Sequence, residues 1–493
     1  MNTTNAVEPP DRTALRARYR AERDKRLRSD GSDQYIEPTG RFAHFREDTF
    51  TERVERDPVT DEVTVAIIGG GFAGLTTGAR LAEAGVTDVR LIEGGGDVGG
   101  AWYWNRYPGA MCDTAAMVYL PLLEETGHMP TQKYTMGHEN FAHAQRIATH
   151  YGLYQRALFS TEVTSLEWDE ATSRWLIGTD RGDAIRARFV AMGTGPMHRP
   201  KLPGIPGLDT FEGHCFHTSR WDYPYTGGSP SGEPMDRLAD KRVGIIGTGA
   251  TAVQAIPHLA RDSGELFVFQ RTPSSIDVRN NRPTDPAEFD ALEAGWQRRW
   301  LDNFATLQTG GFTDEDLVMD GWTDIAKRIR DRVVLEMTST GEAFTPELVA
   351  RAYEDSDDEK MTEIRARVAS PTRAPPRHSS RGIASCASGP ASTTSTCRPT
   401  TGPTPTWSTP TGREWRRSTP PGCGPPASTT RSTASSSPRG STCTWPIRPP
   451  MRPPAETVSR CPSTGSTACA ACTAPMLPGS PTCSSSGSTR APT

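Results

Sequence analysis

The last quarter of the sequence lacks most of the residues from which a hydrophobic core is built. Residues 371–493 contain no Phe, Tyr, Lys, Asp, Asn or Gln, and only four of these 123 residues are Ile, Leu or Val. Pro, Ser and Thr make up 68 of them. Such a segment cannot bury enough apolar surface to offset the entropy lost when its backbone is ordered. We therefore predict a low-complexity, disordered tail over residues 371–493.

Before this tail the chain has little cysteine and no long apolar run. Only Cys112 and Cys215 stand there, and the eight cysteines of the tail match no zinc-binding spacing, so we expect no metal site. No run approaches the roughly 20 apolar residues that a membrane helix needs. Residues 1–370 carry 42 basic and 57 acidic side chains, without a basic stripe for nucleic acid. These absences predict a soluble, cytoplasmic protein with neither a nucleic-acid nor a membrane partner.

Two stretches of the chain have the pattern strand, glycine-rich turn, helix, strand. The first begins at residue 63 with VTVAIIGGGFAGLTTGARLAEAGVTDVRLIEGGG, and the second at residue 242 with RVGIIGTGATAVQAIPHLARDSGELFVFQRTP. Such units form parallel α/β sheets that bind dinucleotides. We predict an α/β fold with two Rossmann-like dinucleotide-binding domains and a helical insertion, followed by the tail. The predicted parts are an N-terminal extension over 1–62, a first domain over 63–205, a second domain over 206–370 whose residues 285–370 are helical, and the tail.

The first glycine turn, Gly69-x-Gly71-x-x-Gly74, follows a predicted strand and opens a predicted helix. Glycine allows the backbone to approach a pyrophosphate, whose charge the N-terminus of the helix then faces. Glu93 stands 24 residues after Gly69, where a carboxylate accepts hydrogen bonds from a free ribose diol. A glycine-rich turn without a ligand is the alternative. The complete strand, turn, helix and strand context favours a dinucleotide that has no 2′-phosphate.

The second turn, Gly247-x-Gly249-x-x-Ala252, is followed after the same 24 residues by Arg271 instead of an acid. An arginine at this position suits a 2′-phosphate, which its guanidinium binds with two hydrogen bonds. The alternative is that Arg271 is a solvated residue at the end of a strand. The register with the glycine turn favours NADPH. One NADPH site beside a second dinucleotide site predicts hydride transfer to a bound cofactor, and FAD is the natural occupant of the first site.

A third motif lies between the two turns and reads Phe211-x-Gly213-x-x-x-His217-x-x-x-Trp221-Asp222. It resembles the fingerprint of the type I Baeyer–Villiger monooxygenases, F-x-G-x-x-x-H-x-x-x-W-[PD]. The segment GGAWYWNRYPGAMCD, residues 99–113, is similar to the flavin-side segment of that family, and HTSRWDYPYTGG looks like its subfamily that acts on polycyclic terpenoid ketones. The resemblance covers about residues 13–370. Flavin monooxygenases that oxidise amines and sulfides are the alternative, and Trp221 and Asp222 favour the ketone-oxidising family.

The resemblance implies an FAD- and NADPH-dependent enzyme that inserts one oxygen atom of O2 beside the carbonyl of a small-molecule ketone, giving an ester or lactone. It implies that Asp113 is catalytic, paired with an arginine near the flavin, and that His217 and Trp221 couple the domains. The implied FAD-binding residues are Gly69, Gly71, Phe72, Ala73, Gly74, Glu93, Gly100, Ala101, Trp102, Tyr103, Trp104, Asp113, Tyr119 and Val163. The implied NADP-binding residues are Met111, Cys112, Asp113, Gly247, Thr248, Gly249, Ala250, Thr251, Ala252, Val253, Gln254, Arg271 and Thr272. For each aromatic side chain, core packing is the alternative.

The arginine that pairs with this aspartate in the family is missing. It should lie beyond residue 370, in a segment of the type C-K-R-P-x-F-x-D-E-Y-L. The stretch CASGPASTTSTC, which begins at Cys386, is compatible with L-C-K-R-P-G-F-H-D-E-Y-L when its codons are read one base out of frame. The following RPTTGPTPTWSTPTG is compatible with P-T-Y-N-R-P-N-T-H-L-V-D-T-D-G. We therefore predict a frameshift near residue 370, either a sequencing error or a real lesion, with a genuine low-complexity tail as the alternative.

A chain without this arginine is expected to be impaired as an oxygenase. Two further outcomes stay open for it: an inactive nucleotide-binding product, and an uncoupled NADPH oxidase that binds flavin but releases peroxide.

Overall fold

The computed structural model describes residues 11–369, apart from 197 and 272, together with the short stretches 383–384 and 406–408. The predicted disordered tail and the predicted frameshift therefore fall almost entirely outside the described residues. Within the described ranges, no helix is both long and apolar enough to cross a membrane.

The N-terminal extension packs along the rest of the molecule. It contains helix α1 (Arg12–Arg26), 3-10 helices over Gly31–Gln34 and Gly40–Arg46, and strand β1 (Tyr35–Ile36). Helix α1 begins after Asp11, whose carboxylate accepts a hydrogen bond from the backbone N–H of Thr13 at 2.9 Å. Phe42 and Phe45 are buried, so the extension contributes its own apolar contacts.

A six-stranded sheet forms the first unit. Its strands in chain order are β2 (Thr60–Ile68), β3 (Val89–Ile92), β4 (Ala157–Leu158), β5 (Val163–Asp169), β6 (Arg174–Thr179) and β7 (Ala184–Met192). Across the sheet the order is β4-β3-β2-β7-β6-β5. The first four of these strands run parallel, whereas β6 and β5 pair antiparallel. The parallel part is the predicted Rossmann-like sheet, and β2 begins at Thr60 instead of the predicted residue 63.

Five helices belong to the first unit, and α2 packs on its sheet. They are α2 (Phe72–Glu83), α3 (Ala101–Trp104), α4 (Ala116–Tyr119), α5 (Leu123–Thr126) and α6 (Gly137–His150). Leu75 and Ala79 lie one turn apart on α2 and are fully buried against Ile67 of β2. Ile147 of α6 completes this cluster. Because α2 packs directly on β2, the first glycine turn is fixed at the carboxyl end of the central strand.

The second unit repeats this arrangement on a smaller scale. Strand β8 (Leu202–Pro203) pairs antiparallel with β1, and the unit continues with α7 (Tyr223–Thr226), β9 (Arg242–Ile246), α8 (Ala250–Asp262), β10 (Glu265–Phe269) and β11 (Ile276–Asp277). β9 and β10 are parallel, with Ile245 opposite Val268. Both side chains are buried together with Leu259 of α8. The predicted second strand, turn, helix and strand unit is confirmed.

Residues 286–369 form the predicted helical region as four helices. They are α9 (Pro286–Asp290), α10 (Trp296–Gln308), α11 (Gly321–Thr340) and α12 (Pro346–Ala369). α11 begins with a capping box. The carboxylate of Asp320 accepts from the backbone N–H of Thr323, and the hydroxyl of Thr323 accepts from the backbone N–H of Asp320. The residue after the helix is Gly341, whose left-handed φ of 71° favours glycine. The loops between the helices were not predicted.

Two short strands of the tail are described. β12 (Ile383–Ala384) pairs antiparallel with β11, and β13 (Thr406–Ser408) pairs parallel with β10. The order of the second sheet is therefore β13-β10-β9. These five residues have strand partners in the structure, whereas the sequence predicted disorder for them.

Candidate functional site

The first glycine turn is a close meeting of three backbone segments. Gly69 has a φ of +105°, and a Cβ there would clash with the carbonyl oxygen of Gly193. A Cβ on Gly74 would clash with the carbonyl oxygen of Gly69. On the other side, a Cβ on Gly100 would lie 2.7 Å from the Cα of Gly71. The turn is thus lined by backbone, with the N-terminus of α2 directly behind it, which fits a bound pyrophosphate.

Glu93 lies under this turn, immediately after β3. Its Oε2 accepts the backbone N–H of Gly70 at 2.5 Å and its Oε1 that of Gly95 at 2.6 Å. Burial raises the pKa of Glu93, and these two hydrogen bonds partly lower it. The backbone N–H of Thr161 donates to the carbonyl oxygen of Glu93 at 2.9 Å, and Val163 follows two residues later in the chain. Each carboxylate oxygen keeps a second acceptor position, so the donor set fits a ribose diol.

Aromatic side chains surround the start of α2. Phe72 is the first residue of α2, followed by Ala73, and its ring meets the ring of Tyr119 edge-on at 5.9 Å. The indole N–H of Trp102, which follows Ala101 in α3, donates to the hydroxyl of Tyr119 at 2.8 Å. Burial raises the pKa of Tyr119 well above its ordinary value, so this hydroxyl stays neutral. The three rings form an apolar wall beside the phosphate turn.

Tyr103 and Trp104 point away into the protein. The hydroxyl of Tyr103 is hydrogen-bonded to Asp48 and, at 2.8 Å, to Thr51, both in the N-terminal extension. Trp104 is buried, with the guanidinium of Arg220 lying 3.5 Å from the centroid of its ring. For these two residues the contacts are those of core packing, and they tie the flavin-side segment to the extension and to the fingerprint.

The second glycine turn opens onto free space. Gly247 has a φ of +107°, and its N–H donates to the carbonyl oxygen of Phe269 at 2.8 Å. A Cβ at Gly247 or Gly249 would meet no heavy atom of the described residues within 4 Å, which leaves room for a phosphate. The next residues of the predicted set form the first turns of α8: Ala250, Thr251, Ala252, Val253 and Gln254. Thr272 lies outside the described residues.

The end of β10 brings two polar side chains to this turn. Gln270 donates from Nε2 to the hydroxyl of Thr248 at 2.9 Å. Arg271, the predicted phosphate ligand, is exposed. Its Nη1 donates to Oε1 of Gln34, and its Nη2 donates to the hydroxyl of Tyr35 at 3.3 Å. The predicted 2′-phosphate site is therefore bordered by the N-terminal extension.

Gln254 of α8 joins the second unit to the flavin-side segment. Its Nε2 donates to the carbonyl oxygen of Met111 at 2.9 Å, and its Oε1 accepts from the hydroxyl of Tyr107 at 2.8 Å. Gly109, with a φ of +80°, lets this segment approach α8, since a Cβ there would lie 2.7 Å from the carbonyl oxygen of Gln254. As a result the backbone of Met111 lies against the helix that follows the second turn.

Asp113 lies close to a buried cation that the sequence did not single out. Arg279 is 3% exposed and follows β11. Burial raises the pKa of Asp113 and the charge of Arg279 lowers it; burial likewise lowers the pKa of Arg279 and Asp113 raises it. Burial also raises the pKa of Cys112 to about 12, so its thiol is neutral. The two charges support each other in a partly buried site between the units.

The fingerprint motif divides into an exposed and a buried half. Phe211 is 50% exposed, and Gly213 lies beside its ring. Trp221, in contrast, is buried with Tyr107 and Ile245, and thus touches both units. The buried half supports the predicted coupling role.

The residues around Trp221 are held by local hydrogen bonds. Asp222 caps α7 by accepting the backbone N–H of Tyr225 at 3.0 Å, and it also bonds Nε2 of His214 at 2.8 Å. Burial lowers the pKa of His217 to about 4, with a smaller contribution from Arg220. His217 is therefore neutral near pH 7 and suited to a structural contact.

Three candidate residues escaped the sequence reasoning. Arg279, Arg220 and Gln34 acquire their partners only in three dimensions, from segments far away in the chain. No repeat, spacing or composition marks them in the sequence.

The comparisons with known proteins cover the described part of the chain. The family model described as "Pyridine nucleotide-disulphide oxidoreductase" matches residues 66–286. Neopentalenolactone D synthase of Streptomyces avermitilis is 55% identical over 359 residues, which are 73% of this chain and 60% of that protein. A Baeyer–Villiger monooxygenase of Streptomyces coelicolor is 51% identical over 365 residues, 73% of this chain and 59% of the other.

The solved structures include a similar one from a fungus. The polycyclic ketone monooxygenase of Thermothelomyces thermophila superimposes with a TM-score of 0.64 and 38% sequence identity, covering 74% of this chain and 62% of that one. The chain thus spans about three fifths of the length of the relatives it matches.

Proposed function

The matched part of the chain is homologous to the type I Baeyer–Villiger monooxygenases, and from that premise we propose that the protein descends from a ketone-oxidising enzyme. The proposed reaction takes NADPH, a proton, O2 and a ketone and yields an ester or lactone, NADP+ and water. The observation that carries the proposal is the bridge made by Gln254, which ties the backbone of Met111, two residues before Asp113, to the helix of the second glycine turn. That bridge supports hydride transfer between two dinucleotide sites.

FAD fits the first site. The backbone-lined turn, the buried carboxylate of Glu93 and the wall formed by Phe72, Trp102 and Tyr119 match the pyrophosphate, ribose and apolar parts of such a cofactor. When bound, reduced FAD supplies the activation of O2. The protein orients the cofactor through these groups and keeps water away from its apolar side.

NADPH fits the second site. Gly249 leaves space in front of α8, and Arg271 offers the guanidinium that a 2′-phosphate needs. Asp113 has Arg279 as its charge partner, and on the strength of the family resemblance it is proposed to act where the two cofactors would meet. These roles for the site residues, and the boundaries of 63–205 and 206–370 for the two domains, are proposals.

The chain as printed is proposed to be impaired in oxygen insertion. The family's arginine partner of Asp113 belongs to the segment that the proposed frameshift near residue 370 replaces. A cation beside the reacting oxygen and the ketone carbonyl stabilises the charge that develops there, and removing one such group costs on the order of a hundredfold or more in rate. Arg279 pairs with Asp113 from the side of β11 and does not restore the missing segment.

The proposal is tested on the purified full-length chain. Flavin content is read from the visible absorbance, NADPH consumption is followed with and without a polycyclic ketone, and products are analysed by mass spectrometry under isotope-labelled O2. We expect NADPH binding with little or no labelled lactone.

The outcomes separate the candidate functions. A yellow protein that consumes NADPH and releases peroxide is an uncoupled oxidase, and a colourless protein that binds NADPH is a binding product only. Labelled lactone at a rate typical of enzymes would contradict the proposed impairment. Oxidation of an amine or sulfide in place of any ketone would contradict the proposed lineage.

A further inference from the structure

The N-terminal extension contributes two side chains to the second nucleotide site. The guanidinium of Arg271 donates from Nη1 to Oε1 of Gln34 and from Nη2 to the hydroxyl of Tyr35, across 237 and 236 positions of sequence. Gln34 is itself oriented, because its Nε2 donates to the carbonyl oxygen of Gly31 at 2.5 Å. The side-chain oxygen of Gln34 therefore faces Arg271 in a defined geometry.

Backbone pairing and apolar packing anchor the part of the extension that contains Gln34. Residues Tyr35 and Ile36 form β1, which pairs with β8 between the two units. The backbone N–H of Gly204 donates to the carbonyl oxygen of Gln34 at 2.9 Å, and a Cβ on Gly204 would clash with that oxygen. Apolar packing of Leu202 with Phe42 and Phe45 secures the same junction. The anchor depends on Gly204, which lies in the chain between the two nucleotide turns.

The remaining donors of Arg271 are the ones that a phosphate would use. A guanidinium has five N–H groups. The extension takes one N–H on each terminal nitrogen, and within the described part of the chain the second N–H of each terminal nitrogen and that of Nε have no acceptor. A fixed guanidinium loses less side-chain entropy on binding than a free one. Gln34 and Tyr35 are neutral, so they orient Arg271 without competing for its charge.

We propose that Gln34, assisted by Tyr35, is a positioning residue for Arg271 and thereby sets the preference of this site for a nucleotide with a 2′-phosphate. The inference rests on the proposed function, because it takes the second site as a nicotinamide dinucleotide site. It adds that the N-terminal extension is part of that site. The same contact predicts that NAD+, which lacks the phosphate, is insensitive to Gln34.

The test compares dissociation constants for NADP+ and NAD+ by calorimetry with the full-length chain. Gln34→Glu places a carboxylate on the guanidinium, which occupies its charge and repels a phosphate. We expect the Kd for NADP+ to rise about tenfold or more, with the Kd for NAD+ unchanged within about twofold. Tyr35→Phe should raise the NADP+ value by a smaller factor. Gln155→Glu, on the 3-10 helix Tyr154–Arg156, introduces the same charge elsewhere and serves as the control.

A double variant shows whether the effect passes through Arg271. In an Arg271→Ala background, which removes the preference for NADP+, Gln34→Glu should raise the Kd for NADP+ by a clearly smaller factor, because only the direct repulsion between its carboxylate and the phosphate remains. If Gln34→Glu weakens NADP+ and NAD+ equally, or weakens neither, the positioning role is wrong while the site itself stands. If the unmodified chain binds NADP+ no better than NAD+, the assignment of the second site in the proposed function fails together with the inference.

Discussion

At the residue scale, Glu93 shows how one buried carboxylate can serve both the fold and a ligand. Its two oxygens hold the backbone N–H groups of Gly70 and Gly95, which belong to the loops on either side of it. The same oxygens are the acceptors proposed for a ribose diol. Because burial already raises the pKa of this group, its ionised form depends on these N–H donors.

We predict that Glu93→Gln lowers the affinity of the first site. Glutamine has one side-chain oxygen, so one of the two N–H groups loses its acceptor and the ribose loses a charged one. Hydrogen bonds to charged groups contribute about 1.5–3 kcal/mol, which corresponds to a rise of roughly tenfold or more in the Kd for FAD or ADP-ribose. Equilibrium dialysis with the full-length chain measures both ligands.

The control for this prediction is Glu83→Gln, which removes the same charge at the far end of α2. Thermal unfolding of the unliganded proteins shows whether the turn itself is damaged. Equal affinities for Glu93→Gln and the unmodified chain would show that the carboxylate does not contact the ligand.

Individual residues also show how much of the site could be predicted from the sequence. Gly69 and Gly247 were identified because only glycine tolerates the positive φ of these turns, so the residue type itself marks each turn in the sequence. Glu93 and Arg271 were found by counting from those glycines. Arg279 has no such local signature, since its partner Asp113 is separated from it by most of both units.

At the scale of elements, the N-terminal extension is held to the first unit by one well-buried ion pair. Arg56 binds both carboxylate oxygens of Asp183 at 2.6 Å, and the side chain of Asp183 is completely buried. The backbone N–H of Val59 and the hydroxyl of Thr179 donate to the same carboxylate, each at 2.7 Å. These bonds hold the pKa of Asp183 well below its usual range, with Arg56 as the largest cause.

We predict that Asp183→Asn destabilises the protein by about 3 kcal/mol at neutral pH, because it leaves Arg56 without its charge partner. A carboxyl group with a lowered pKa in the folded state stabilises at pH values above its unfolded pKa of about 3.9. The difference between the two proteins should therefore be the same at about pH 7 and pH 5, and should shrink as the pH falls below about 4. Urea unfolding at each pH measures it.

The matched control is Glu162→Gln, which removes the partner of Arg46 in an exposed ion pair of the same extension. An exposed pair of this kind contributes at most about 1 kcal/mol. If Asp183→Asn costs no more than Glu162→Gln, the buried pair does not anchor the extension.

The elements themselves were largely predictable from the sequence. Both strand, turn, helix and strand units and the helices over 286–369 follow from the period of their apolar residues. The course of the extension was not predictable, because many of its contacts are polar and join residues more than 100 positions apart, as with Arg53 and Asp180. Nor did the apolar pattern reveal the antiparallel pair β5 and β6, whose faces are only partly buried.

At the scale of the whole molecule, the proposed frameshift makes a direct prediction about the gene. Sequencing across the codons for residues 360–395 should reveal one base too few or too many. A chain expressed in the corrected frame should convert a ketone to a lactone, whereas the printed chain should form little or no lactone. The gain should be at least about a hundredfold, since the corrected chain regains the cation beside Asp113.

A matched variant isolates the contribution of that cation. In the corrected chain, the arginine encoded across Ser388 and Gly389 is replaced by alanine, and flavin content and lactone formation are measured together. Retention of flavin with loss of lactone is expected. Two results would contradict the proposed frameshift. One is a corrected chain that makes no lactone at all. The other is a gene that encodes the printed tail together with full activity of that chain.

The position of β13 beside β10 has a consequence for shortened forms of the chain. Thr406–Ser408 occupy the hydrogen-bonding side of Phe267–Phe269 that β9 leaves open. A product that stops before residue 406 would present these backbone N–H and C=O groups as an unprotected sheet edge, next to the apolar side chains of β10. Such edges recruit strands from other molecules. Truncation of the tail is therefore expected to expose a sheet edge that promotes self-association and aggregation.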